Sequence, residues 1–292
     1  MVIVLLAVLL VLVVARALPD LARLRRFDWL HAWQQQLRQH GNPDLAIVFE
    51  VGLPVLVVGL IQYGLHDLLF GLAGLAFGVF VLFYSWGPRD LERDAEAIDK
   101  APDSERRLAA AQMLRAEMPP EPVAFAAEPL VEATFNAALK RWFGVLFWFA
   151  LLGPAGALLY RLAQLLAYAP EFSTQTPDAQ RERARRLALI LDWMPAQLMA
   201  LSLALASNFD AVFKTWHDYH AAHGRGYFCL DLGFLPAIAR ASVDADVTAG
   251  DGYAQDTHNP LVALDDAMVL VRRVLVVWIT VIALIVLAGW FG

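Results

Sequence analysis

Four stretches of this chain carry no Asp, Glu, Lys or Arg: Met1 to Ala15, Leu68 to Pro88, Trp142 to Tyr160 and Val274 to Gly292. A bilayer span takes about 20 mainly apolar residues, roughly 17–25. The last three stretches qualify, so the chain reads as an integral membrane protein. Composition agrees: 59% of residues are hydrophobic and 18% charged, against roughly 45–50% and about 25% in soluble domains. A disordered chain is excluded, and the same excess argues against an ordinary soluble enzyme. The net charge of −6 argues against a nucleic-acid partner, which selects a basic face. Cys229 is the only cysteine, so no disulfide forms within the chain.

Met1 to Val14 is short and is followed, not preceded, by arginines at 16, 23, 25 and 26. That order suits a retained anchor better than a cleaved signal, although Ala15-Arg16-Ala17 mimics an A-x-A site. Leu45 to Tyr63 is apolar apart from Glu50, which reads as a residue at the membrane interface or as an inward-facing partner for an Arg. Gly64-Leu65-His66-Asp67 reads as a turn, and Leu68 to Trp86 as the returning arm. Gly74 and Gly78, four apart on that arm, mark a close-packing stripe. Trp142 to Leu166 forms a third region, interrupted by Gly153-Pro154-Ala155-Gly156. Such a break is tolerated at membrane depth only where protein or trapped water satisfies the backbone. Leu187 to Ala206 forms a fourth, disturbed by Asp192 and Pro195. A last span covers about Val269 to Trp290.

Lys and Arg concentrate on cytoplasmic loops. The basic segments Ala15 to Asp44, Ser85 to Arg141 and Arg272-Arg273 all become cytoplasmic if both termini are outside. Arg181, Arg183, Arg185 and Arg186 then face outward if regions three and four both cross, and inward if the two regions dip in and return. Four spans with a broken helical pair and six full spans both stay open. The organisation expected is membrane segments over 1–84 with a cytoplasmic loop at 15–44, a helical cytoplasmic loop over 85–141, and a broken membrane-embedded pair over 142–206. A polar cytoplasmic region over 207–268 and a C-terminal transmembrane helix over 269–292 complete it.

Leu91, Ala95 and Ile98 follow helical spacing, as do Leu108, Ala111 and Leu114 within Asp103 to Met118. Met118-Pro119-Pro120-Glu121-Pro122 ends that helix, and Glu128-Pro129-Leu130 opens the next. Turn signals fall at Gly250-Asp251-Gly252 and His258-Asn259-Pro260. Clean period-two alternation is absent. The fold class is all-α: a polytopic helical membrane protein with four to six membrane-embedded segments and helical cytoplasmic loops.

No phosphate loop, nucleophile elbow or H-E-x-x-H zinc helix occurs. His217, His220 and His223 recur every three residues and drift around a helix, which suits a polar face better than a metal site. Gly87-Pro88-Arg89-Asp90 reads as an exit turn or as a phosphate-binding Arg beside a helix N-terminus. Glu132, Asn136 and Lys140, four apart, read as a solvated stripe or as a cytosol-facing site with Glu132 as base or Mg²⁺ ligand. Arg161 and Asp192, ionisable groups in apolar stretches, read as an ion pair that is either a latch or part of a site.

Three segments carry a resemblance. They are Tyr84-Ser85-Trp86-Gly87-Pro88-Arg89-Asp90-Leu91, the run from Leu146 to Arg161 through Gly153-Pro154-Ala155-Gly156, and Leu191-Asp192-Trp193-Met194-Pro195-Ala196-Gln197-Leu198. In order and spacing they resemble the AmpE family of inner-membrane proteins associated with β-lactamase induction. That family is in turn similar to the CobD/CbiB proteins of the cobalamin pathway, which join cobyric acid to an aminopropanol compound at ATP expense. Arg89 and Asp90 match that group's Gly-Arg-Asp-Thr segment, with Leu91 in place of Thr. Glu132 matches the first Glu of its Glu-Ser-x-Ala-Glu-Asn segment. Asn136 and Ala137 replace the second Glu and the Asn, and Lys140-Arg141 replace the following Asp-Gly. Trp193, Pro195 and Ala196 match its third segment, with Gln197 in place of Arg.

The resemblance implies a regulatory protein of the bacterial inner membrane that modulates β-lactamase induction. It would bind a cell-wall-derived small molecule at the cytosolic face through Arg89, Asp90 and Glu132, with Asn136, Arg161 and Asp192 as further candidates. The alternative is an ATP-dependent, membrane-bound ligase that forms an amide. Mg-ATP is implied only under that alternative. A transporter would call for an inverted repeat with two matching broken helices, and only one strongly broken helix is visible.

Overall fold

Long runs of Leu, Val, Ala and Phe, free of internal charge, leave the backbone no hydrogen-bonding partner but itself, and helices result. The computed structural model describes residues 2–18, 21, 24–40, 43–65, 71–87, 89–116, 124–173, 176–224, 226, 229–249 and 259–288. Every element among them is helical. Four helices are long and apolar enough to cross a membrane: Ala46–Leu65, Ala127–Leu152, Asp178–Ala206 and Pro260–Leu287. In the most apolar 18-residue stretch of each, 22% of residues are buried in the first and last helices, as suits lipid-facing spans, against 67% in Ala127–Leu152 and 56% in Asp178–Ala206. The protein is an all-α polytopic membrane protein. The chain divides into two compact units.

Unit one comprises Met1–Pro88, Gly144–Ala188 and Ile282–Gly292. It holds α1 (Val2–Ala17), α2 (Asp28–His40), α3 (Pro43–Leu65) and α4 (Leu72–Ser85). Unit two supplies α5 (Leu91–Asp99), α6 (Ser104–Leu114), α7 (Ala127–Ala138) and a π-helical turn, Leu139–Phe143. The chain re-enters unit one through α8 (Gly144–Leu152), α9 (Pro154–Tyr168), the short α10 (Pro170–Ser173) and the start of α11 (Asp178–Ala206). The rest of α11, α12 (Phe209–Ala222), α13 (Phe234–Ala249) and most of α14 (Pro260–Leu287) belong to unit two.

In unit one, α4 packs on α1 and α9, and α9 on α3. A Cβ on Gly78 would meet Phe149 and Pro154 at ordinary contact distances of 3.6 and 4.0 Å, so this position packs on α8 and α9 without requiring a glycine. The third apolar region, expected as a single interrupted segment over Trp142 to Leu166, is instead a tight helical hairpin. Gly153 has φ +69°, a conformation that favours glycine, and Pro154 opens the returning helix. A Cβ on Gly156 would lie 2.1 Å from the Trp148 carbonyl oxygen, and one on Gly144 would lie 2.1 Å from the Tyr160 ring. Both pairs straddle the turn, so α8 and α9 run antiparallel in contact. Gln62 on α3 closes the tip. Its Nε2 donates to the Leu152 carbonyl at 3.3 Å, and its Oε1 accepts from the Ala155 N–H at 3.2 Å. The backbone groups freed at the break are thus satisfied by protein.

The reversal settles which residues share an end of unit one. Away from the tip, Arg25 donates to the Gly87 carbonyl, Arg161 to the Ser85 carbonyl, and Gln180 to Glu50. The start of α11, with Arg181, Arg183 and Arg185, therefore lies at the same end as Arg25 and Arg26. Of the two alternatives left open by the sequence, the hairpin has the geometry of the one in which region three dips in and returns. Glu50, read either as a residue at the membrane interface or as an inward-facing partner for an Arg, is only 1% exposed and accepts from Gln180 Nε2 at 2.9 Å. It faces inward, with an amide as one partner.

In unit two, α13 packs on α7 and α12, and α5 on α6. Leu91, Ala95 and Ile98 are buried on α5, as their spacing predicts. On α6 Ala111 and Leu114 are buried, but Leu108, expected on the same side, is 37% exposed, so the buried face of α6 is narrower than its period suggests. α6 is capped by Asp103, which accepts from the Arg106 N–H at 2.7 Å. α7 starts at Ala127, with Pro129 in its first turn. α11 runs unbroken through Asp192 and Pro195. Trp278 on α14 donates to Ser202 on α11 at 2.9 Å, and its ring meets Phe143 edge-on. His66-Asp67, the Pro-rich 118–122 segment and the turn signals at 250–252 and His258 lie outside the described residues.

Candidate functional site

The polar residues of unit two gather around the first turns of α5. Asp90 caps that helix, accepting from the Glu92 N–H at 2.9 Å. Arg89 turns onto Asp94 with both arms of its fork, Nε to Oδ2 at 3.0 Å and Nη2 to Oδ1 at 2.9 Å. From the π-helical turn, Arg141 reaches the same carboxylate at 2.8 Å and donates its other arm to the Met113 carbonyl at 3.0 Å. Arg141 is fully buried and Asp94 nearly so, while the Arg89 side chain is 37% exposed. Asp94 is thus clamped by two arginines, one of which still meets solvent. A π-turn widens the helix and is frequent at functional sites. Here it carries Lys140 and Arg141, both buried.

A second set of ion pairs flanks the clamp. Arg272 on α14 donates to Glu92 at 3.1 Å. Arg240 on α13 lies between Glu128, at 3.0 Å, and Glu132, at 3.3 Å. The Glu132 and Arg240 side chains are 35% and 39% exposed, open enough to exchange partners with a ligand. Asn136 donates its amide to the Glu132 backbone carbonyl at 3.0 Å. The stripe Glu132, Asn136, Lys140 is therefore not a solvated face: it runs from half-exposed Glu132 to a buried Lys140. On the outer side of α5, Lys100 donates to Glu96. That hydrogen bond, then the charge itself, lowers the Glu96 carboxyl and raises the Lys100 ammonium.

Of the six candidates from the sequence, Arg89 and Asp90 fall in the turn before α5, and Glu132 and Asn136 on α7, all in unit two. Asp192, also in unit two, is fully buried on α11. Arg161 belongs to unit one. Its guanidinium donates to the Ser85 carbonyl at 2.7 Å and to the Trp86 carbonyl at 3.1 Å. With Arg25 on the Gly87 carbonyl at 3.2 Å, two buried cations cover the orphan carbonyls that end α4. Gly87, at φ +110°, lies so close to Arg161 that a Cβ would come within 2.8 Å of its Nη2.

Asp94, Glu92, Arg141, Arg240 and Arg272 were not singled out from sequence as binding residues. One signal was present: Asp94 stands inside the apolar stripe Leu91, Ala95, Ile98, where an acid needs a buried partner. The histidines do not converge. His220 is buried with Nδ1 2.8 Å from the Trp216 carbonyl oxygen, and His223 stacks on Tyr219. Among the described residues, no three of His, Cys, Asp and Glu come together as a metal cage.

The chain is similar to two curated proteins named cobalamin biosynthesis protein CobD. It is 27% identical to that of Stutzerimonas stutzeri over 256 residues, which covers 82% of this chain and 80% of the relative. It is 28% identical to that of Chromobacterium violaceum over 142 residues, 47% of this chain and 46% of the relative. No protein-family model matches the chain, and no solved structure matches it.

Proposed function

We propose that this chain is a CobD-like membrane protein that joins a carboxylate to an amine at a cytosol-facing site in unit two. The carrying observation is the likeness to the Stutzerimonas stutzeri protein over 82% of the chain. The geometry supports it: Arg89, Asp90 and Glu132, the positions that match the cobalamin-pathway motifs, lie among arginines that are partly open to solvent. An Arg fork matches carboxylate and phosphate oxygens in pairs. Arg89, Arg240 and Arg272 supply such forks, and each now rests on a carboxylate that an incoming anion would replace.

Amide formation from a carboxylate needs activation, and Mg-ATP supplies it by phosphoryl transfer in the related pathway. The donor set does not suit a resident metal. It does suit a cation that arrives on phosphates, since Mg²⁺ is commonly held by one or two carboxylates plus substrate oxygens. Glu92, partly exposed, would hold it. Arg89 and Arg272 would bind phosphate oxygens, and Glu132 would take the proton that an attacking amine gives up.

A second reading, the AmpE-type regulator, is favoured by one observation. Where the cobalamin enzymes carry Asp-Gly, this chain has Lys140-Arg141, and Arg141 spends its charge on Asp94. A site that has exchanged an acid for a buried lysine and arginine suits recognition of an anionic cell-wall fragment without turnover. Calorimetry of Mg-ATP against the detergent-purified protein, beside Glu132→Gln and Arg89→Ala, separates the two. The ligase reading expects binding in the parent and loss in both variants. Absence of binding in a folded parent at millimolar nucleotide would leave the regulator. Placement in the bacterial inner membrane belongs to both readings.

A further inference from the structure

A cavity of about 570 Å³ lies in unit one, within the roughly 300–1,000 Å³ range of small-molecule sites. Its walls are Trp33 of α2, Val57 and Val58 of α3, Phe77 and Phe80 of α4, and Leu158 of α9. Gln36 is the polar side chain that reaches it from mid-α2. Val57 and Phe80 at its rim are 47% and 64% exposed, so the cavity opens sideways onto the apolar face of α3 and α4. In a bilayer that face meets hydrocarbon, so an occupant arrives laterally and has to be apolar along its length.

The other end of the cavity is polar and fixed. Trp29 Nε1 donates to the Tyr84 hydroxyl at 3.0 Å, and that hydroxyl donates to the Arg26 carbonyl. The Arg26 guanidinium is 74% exposed and shares Asp28 at 2.8 Å. Arg16 stands in the last turn of α1, and the sequence places Arg23 and Arg26 shortly after it, basic residues of the kind that attract anionic headgroups at a membrane surface. Trp29 and Trp33, on the amphipathic α2, are residues that favour the headgroup level. An apolar slot, open to lipid and ending under an interfacial helix beside an exposed cation, has the layout of a lipid tail with its headgroup.

We infer that the cleft between α2, α3 and α4 holds one tail of a membrane phospholipid whose anionic headgroup lies at Arg26. The inference does not depend on the proposed chemistry of unit two. It is tested by native mass spectrometry of the full chain released from nanodiscs of equimolar phosphatidylglycerol and phosphatidylcholine. One phospholipid should stay on each chain, enriched in phosphatidylglycerol. Val57→Trp and Val58→Phe, which fill the cleft from its mouth and its wall, should lower retention about tenfold, as blocking a few methylenes suffices for that. Arg26→Gln should retain lipid and lose the enrichment. Val276→Trp, on the exposed face of α14, should behave as the parent. No retained lipid in the parent, or parental retention in both cleft variants, overturns the inference. Equal retention of the two lipids by the parent overturns the headgroup assignment.

Discussion

Arg141 and Asp94 form a buried ion pair, Nη1 to Oδ2 at 2.8 Å, across 47 residues of sequence. The pair ties the π-helical turn to α5, the helix whose first turns carry the candidate site. Stranding a buried charge costs about 3–5 kcal/mol, but Asp94 keeps the Arg89 fork when Arg141 is removed. Arg141→Met should therefore lower the unfolding free energy by less than that, and Arg141→Met with Arg89→Met, which leaves Asp94 without either arginine, by clearly more. Chemical denaturation in detergent measures both.

Gln62 closes the turn between α8 and α9 through one donor and one acceptor. Gln62→Leu removes both hydrogen bonds, one exposed and one half-buried, at a cost of about 0.5–1.5 kcal/mol for each bond. Gly156→Ala is more severe, because its methyl would meet the Trp148 backbone rather than a movable side chain. Thermal unfolding followed by size-exclusion fluorescence should show a lowered midpoint for the first and little folded protein for the second.

Gly144 and Tyr160 are coupled by contact. Gly144→Ala alone should destabilise by about 1–3 kcal/mol, as overpacking does. In a Tyr160→Leu background, which removes the ring it would strike, the same change should cost much less. A double-mutant cycle reads this as a non-zero interaction energy.

The hairpin makes a topological prediction. In a Cys229→Ser background, cysteines at Arg26 and Arg183 should be labelled from the same side of the membrane. A cysteine at Tyr63, exposed near the hairpin tip, should be labelled from the other. Opposite sides for Arg26 and Arg183 would show that the chain crosses where the structure turns back.

The sequence makes the helical class, the apolar spans and the core faces of α5 and α6 legible, because these follow from local period and charge. It also marks Gly153-Pro154 as a break. What it does not carry is the sense of the break, since reversal depends on Gln62, 90 residues away. The inward turn of Glu50 depends likewise on Gln180, 130 residues on. At the site, local motifs point to Arg89, Asp90 and Glu132. The Arg141 and Arg240 partners join them only through packing of α5, α7 and α13.

The central claim is amide formation by a CobD-like protein, and the most direct measurement is made in cells. The chain is expressed in a bacterial strain that lacks its own cobalamin amide synthase, and amidated corrinoid is quantified by mass spectrometry. The account predicts that the parent restores the amidated product and that Glu132→Gln, present in the membrane at equal level, does not. Folded parent protein in the membrane with no amidated corrinoid would contradict it.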